Sequence, residues 1–190
     1  MARISFPKMP KFSEEKATEV ACFLLQLRGG EMSYMKLLKL MYLAERDFFI
    51  RNSSFIAYDT PVSMDRGPVL SRVYNLITEQ PAPKTESFWR KFVSTPTQDY
   101  TVKLLGDVPA STLSVAEKNT IRAIFDKYGR MNRWDLVELS HTLPEWENPM
   151  GSSIPISIEE ILRSAGKDKE RIDSIMELNA HMAWVEENLT

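Results

Sequence analysis

Residues 34–50, Tyr-Met-Lys-Leu-Leu-Lys-Leu-Met-Tyr-Leu-Ala-Glu-Arg-Asp-Phe-Phe-Ile, constrain this chain more than any other segment. Their apolar side chains wrap most of a helix circumference, and such a helix has to be enclosed by other elements rather than laid on a surface. The pattern predicts a helix from just after Ser33 to about Arg51, the hub of the fold, with Lys36, Lys39, Arg46 and Asp47 left as a narrow polar stripe. At about 100° per residue, Glu45 points with Tyr34, Leu38 and Met41 into the apolar face. A carboxylate there is costly unless it meets a cation or several donors or takes up a proton. The expectation is a structural ion pair with Arg66 or Arg72, while Arg46 faces solvent or a partner.

Caps and turn formers lay out the rest. Ser13 is placed to cap a helix that runs to about Leu27, and Gly29-Gly30 ends it. Residues 54–64 mix aromatic and β-branched side chains with turn formers and predict one or two short strands. After Gly67-Pro68-Val69 a helix is expected to about Glu79; Pro81 and Pro83 then interrupt the chain before a short helix near Glu86 to Val93. Tyr100, Val102 and Leu104 alternate as a strand does. Ser114-Val-Ala-Glu117 has capping-box spacing for a helix to about Tyr128, closed by Gly129. A helix from Arg133 to His141 precedes an irregular loop, Pro144-Glu-Trp-Glu-Asn-Pro149. Ser157-Ile-Glu-Glu160 repeats the capping pattern, and Asp168 opens a last helix with Ile172, Ile175, Met176, Met182 and Leu189 largely on one side. The fold class is therefore mainly α (α+β): a compact helical domain around the central Leu-rich helix, with a small β-sheet or hairpin. Residues 1–190 read as one domain, without an internal repeat.

With 190 residues, 43% of them hydrophobic and 26% charged, the chain is long enough to bury a core without disulfides or a structural metal. A net charge of −2 and a pI near 5.8 give no overall pull toward nucleic acid. Cys22 has no partner for an internal disulfide, which fits a reducing compartment. The opening Met1-Ala-Arg-Ile-Ser-Phe-Pro-Lys-Met-Pro10 has no apolar signal core, and no later run approaches the roughly 18 apolar residues of a membrane span, so a cytoplasmic protein is expected.

The imidazoles, His141 and His181, stand far from each other and from Cys22, so no zinc-type cluster is foreseen and no cofactor is expected. A Gly-x-Gly-x-x-Gly fingerprint, a Walker loop and a Gly-x-Ser-x-Gly elbow are all absent, and an enzyme is not expected. His141 reads as a hydrogen-bonded helix-end residue and the apolar series of the last helix as core.

Lys36-Leu-Leu-Lys-Leu-Met-Tyr-Leu-Ala-Glu-Arg46, followed by Asp65-Arg-Gly-Pro-Val-Leu-Ser-Arg-Val-Tyr74, resembles the Panacea domain, the antitoxin domain also called SocA-like. Leu136-Val-Glu-Leu-Ser-His141 and Pro144-Glu-Trp146 look like the family's later element, and the resemblance extends over about residues 15–150, with a helical extension at 155–189. It singles out Lys36, Leu40, Tyr42, Glu45, Arg46, Gly67, Pro68, Val69, His141 and Trp146 as structural or partner-binding positions. Arg66 stands where many members have His or Tyr, so no role of a ring at that point carries over. Gly67 allows a close backbone approach, and Pro68 is suited to the first turn of the next helix. The resemblance implies an antitoxin that neutralises a cognate protein toxin by direct contact, encoded beside it in bacteria or phages. At least one family member instead delivers its toxin to a Clp-type protease, so the resemblance leaves both masking and proteolytic delivery open for this chain. Hydrophobic helix faces or loop aromatics such as Trp146 and Trp184 would serve as anchors. The alternative from another class is a DNA-binding regulator using Lys36, Lys39, Arg46 and Arg51, disfavoured because Asp47 interrupts these charges and their helix is too central to enter a groove.

Overall fold

The structure, a computed structural model, describes residues 8–78, 87–108 and 111–189. The expected helix end at Glu79, the break at Pro81 and Pro83 and the helix start at Glu86 lie outside these residues.

In chain order the elements are α1 (Glu14–Arg28), β1 (Glu31–Ser33), α2 (Tyr34–Asn52), β2 (Pro61–Ser63), β3 (Val69–Leu70), α3 (Ser71–Thr78), α4 (Phe88–Phe92), β4 (Thr101–Lys103), α5 (Val115–Tyr128), α6 (Arg133–His141), β5 (Ile154–Pro155), α7 (Ile158–Ser164) and α8 (Lys169–Leu189). The mainly α class with a small β component holds. Local chemistry sets most helix ends. The Ser13 hydroxyl accepts the Lys16 amide, and Gly29, left-handed at φ 94°, closes α1. Ser114 and Glu117 form the reciprocal capping box of α5, and the Asn132 side chain accepts the Trp134 and Asp135 amides at the start of α6.

The hub expectation is met by α2, against which α1, α3, α5, α6, α7, β1 and β3 all pack. Leu37, Leu40, Ala44 and Phe49 on it are fully enclosed. The polar stripe is not found, because Lys36 and Lys39 are buried as well. Each lysine runs its stem through the packed layer and ends on backbone carbonyls. Lys36 Nζ donates to the Gly129 and Met131 oxygens, both at 2.6 Å, just past the C-terminal end of α5, where a cation is favoured.

Two small antiparallel sheets flank the helices. In one, β1 pairs with β4 through Met32 and Val102; in the other the order is β3-β2-β5. Neither β1 nor β5 was foreseen, since three residues after a double glycine and a two-residue strand containing Pro155 carry no readable alternation. The helix after Gly67-Pro68-Val69 also starts later than its Pro signal indicates: Val69 and Leu70 form β3, and Pro68 lies before that strand. Asp59 moves the start, since its buried carboxylate accepts the Arg72 and Val73 amides at 3.0 and 2.9 Å and caps α3 from outside its own chain segment. In α8, Ile172, Ile175 and Met176 are buried, but Met182 and Leu189 are exposed. A 21-residue helix is about 30 Å long, and its later turns extend beyond the apolar surface that covers the first ones.

Candidate functional site

Tyr42 and Arg46 stand one turn apart on α2 and meet the loop that follows α6. Arg46 Nε donates to Glu145 Oε1 at 2.6 Å and its Nη2 to Oε2 at 3.1 Å, while the Tyr42 hydroxyl donates to Oε1 at 2.8 Å. Both oxygens of a buried carboxylate are thus matched by a two-pronged guanidinium and a phenol. Burial, with the Glu145 charge beside it, holds the Tyr42 hydroxyl well above the usual range. Arg46 therefore does not face solvent as its place in the helix implied.

The next residue of that loop ties it to the β2–β3 turn. Trp146 Nε1 donates to the Met64 oxygen at 3.1 Å, and the indole stacks on His141 with centroids 4.1 Å apart. Trp146 is consequently half-buried rather than a free anchor. His141 is at the end of α6 as expected and stacks on Trp146, and among the described residues its buried Nε2 meets no hydrogen-bond partner.

Gly67 occupies the tightest point. Its φ is 87°, and a Cβ there would run into the Ser140 hydroxyl on α6 and the Lys39 ammonium on α2. Lys39 Nζ donates to the Pro68 oxygen at 2.8 Å, and burial pulls its pKa from 10.5 to about 7. Outside this turn lies a cleft of about 240 Å³ bordered by Tyr34, Lys39, Arg66, Gly67, Tyr74 and Ser152.

Glu45 points into the core as its phase predicted, but its partners are not cations. Oε2 accepts the Ile56 amide at 2.6 Å and Oε1 the Ala57 amide at 2.7 Å. Burial nonetheless raises its pKa to about 7, with the two amides acting in the opposite direction. The expected arginines are elsewhere, Arg66 over Trp134 and Arg72 over Phe12. The segment after α2 turns back across it and brings two backbone donors already fixed in place, so no long cationic side chain has to be ordered there.

The family model described as antitoxin SocA-like, Panacea domain, matches residues 37–147. This span holds the Gly67 turn and both ends of the Tyr42–Arg46–Glu145 tie. The chain belongs to the SocA-like Panacea family. Comparison with curated proteins and with solved structures finds no match.

Within the Panacea span the fold gathers Tyr42, Arg46, His141 and Trp146 on one side, around Glu145, and joins Gly67 and Pro68 to Lys39 nearby. Leu40 and Val69 are core residues. Glu45 serves a different contact, with residues 56 and 57, and Lys36, one residue before the matched span, holds the end of α5. Glu145 and Ser140 were not singled out from the sequence. Glu145 lies 99 residues from Arg46, and nothing in its neighbourhood marks it as buried except its place between Pro144 and Trp146. Among the described residues no three His, Cys, Asp or Glu side chains gather as metal ligands would, and no helix is long and apolar enough to cross a membrane.

Proposed function

We propose that this Panacea protein is a non-catalytic cytoplasmic antitoxin that neutralises a cognate protein toxin by masking it in a direct complex, the chain acting as one folded unit. The observation that carries the reading is the family match across residues 37–147. The motif residues support it by what they do: Tyr42, Arg46 and Trp146 direct their polar atoms to partners inside the protein. A scaffold tied in this way leaves recognition to exposed side chains such as Trp134 and Trp184. The DNA-binding alternative loses its basic row, since Lys36 and Lys39 are buried, Arg46 is paired with Glu145 and Arg51 with Asp47.

Coexpression with the product of the neighbouring gene tests the proposal. Rescue of growth together with copurification is expected, and the rescue should persist in a host lacking its Clp protease. Loss of rescue in that host would favour delivery for degradation over masking. Absence of both rescue and copurification with every adjacent gene product would refute the antitoxin reading.

A further inference from the structure

One surface of the molecule combines exposed aromatic rings with arginines that have no ionic partner. Trp134, in the first turn of α6, is 51% exposed and carries Arg66 at 5.7 Å and Arg133 at 5.3 Å from its ring centroid. Neither guanidinium makes an ion pair or hydrogen bond among the described residues, although Asp65 and Asp135 follow or precede them closely in the chain. The Asp65 carboxylate accepts the Gly151 amide instead. Arg66 and Tyr34 also border the cleft outside Gly67. Tyr34 packs against Tyr100 with centroids 6.1 Å apart.

Tyr100 is left-handed at φ 67° and 57% exposed; Met150, next to the cleft residue Gly151, is left-handed at φ 53° and 86% exposed. An L residue in that conformation is disfavoured, and neither side chain is buried. Guanidinium groups held beside an exposed indole can make two-pronged contact with carboxylates while the ring supplies apolar area.

We infer that the surface formed by Tyr100, Tyr34, Arg66, Trp134 and Arg133 docks an acidic segment of the protein partner, whose carboxylates pair with Arg66 and Arg133 and whose apolar side chains cover the rings. The inference rests on the antitoxin reading, because the partner is the toxin. The favoured partner is a protein rather than a nucleic acid, because the chain's net charge of −2 gives no overall pull toward phosphates.

The test compares wild type, Arg66→Glu with Arg133→Glu, and Trp134→Ala for binding to the purified product of the neighbouring gene. Binding is measured at low and high salt, with thermal unfolding of each variant in parallel and a labelled duplex DNA and a labelled RNA as further probes. The charge reversal should weaken protein binding roughly tenfold or more, and Trp134→Ala by a comparable factor, with unfolding temperatures near wild type. Wild-type affinity should fall as salt rises. Equal binding by wild type and both variants overturns the surface while leaving the antitoxin reading standing. Failure of the wild type itself to bind overturns both. Loss of DNA or RNA binding in the variants, with protein binding unchanged, overturns the acidic-segment assignment in favour of a nucleic acid.

Discussion

Arg46 on α2 and Glu145 in the loop after α6 meet as a two-pronged ion pair across 99 residues of chain, with the Glu145 side chain fully enclosed. Removing one member of such a pair leaves the other without its partner in a poorly solvated place, which is worse than never having had the pair. Glu145→Ala is therefore expected to destabilise by about 3 kcal/mol, and Tyr42→Phe, which deletes a single hydrogen bond to the same carboxylate, by about 1 kcal/mol. Chemical unfolding of both variants is the measurement. A Glu145→Ala effect no larger than that of Tyr42→Phe would mean that water replaces Arg46's partner without loss.

Gly67→Ala combines a left-handed backbone with a collision against Ser140. The first contribution is about 1 kcal/mol and the second about 1–3 kcal/mol. Measured against Ser140→Gly alone, which carries its own cost inside α6, the double variant should lose only the conformational part. Equal stability of the double variant and Ser140→Gly in thermal melts would show that the backbone angle carries no cost there.

Glu45 and Lys39 give opposite pH dependences. The Glu45 pKa is raised from 4.5 to about 7, so between these values the folded state keeps a proton that the unfolded chain releases. Its contribution to stability is greatest below pH 4.5 and falls as pH rises to 7, by an amount on the order of 3 kcal/mol at most. The Lys39 pKa is lowered from 10.5 to about 7, so the folded state releases its proton first, and stability from this group rises between pH 7 and 10.5. Glu45→Gln should flatten the acid-side slope and Lys39→Met the alkaline-side slope. Unfolding free energy measured from pH 4.5 to 10 decides this, and slopes unchanged by the substitutions would place the titrations on other groups.

The late turns of α8 should tolerate charge. Met182→Lys and Leu189→Lys replace exposed side chains and are expected to shift stability by no more than about 0.5 kcal/mol. Ile175→Ala, on the covered part of the same helix, should cost about 2–4 kcal/mol. Comparable losses at positions 175 and 182 in denaturant titrations would show that the outer turns are packed after all.

What the sequence by itself determined is the set of features written in local chemistry. The circumference of α2 could be read because apolar residues over most of a helix have one physical solution, and both ends of α1 and the start of α5 because Ser13, Gly29 and Ser114 act on amides and carbonyls a few residues away. The phase of Glu45 followed from the helix turn alone. Its partners did not: the choice between an arginine and the amides of Ile56 and Ala57 depends on where the chain after α2 folds back. In the same way the burial of Lys36 and Lys39 follows from carbonyls supplied by residues 129, 131 and 68, and the start of α3 from the carboxylate of Asp59. Glu145 becomes a member of the site only when α6 brings it to Arg46. Charged groups in a core are placed by whatever distant donor or acceptor reaches them, and that pairing is a property of the tertiary structure, not of spacing along the chain.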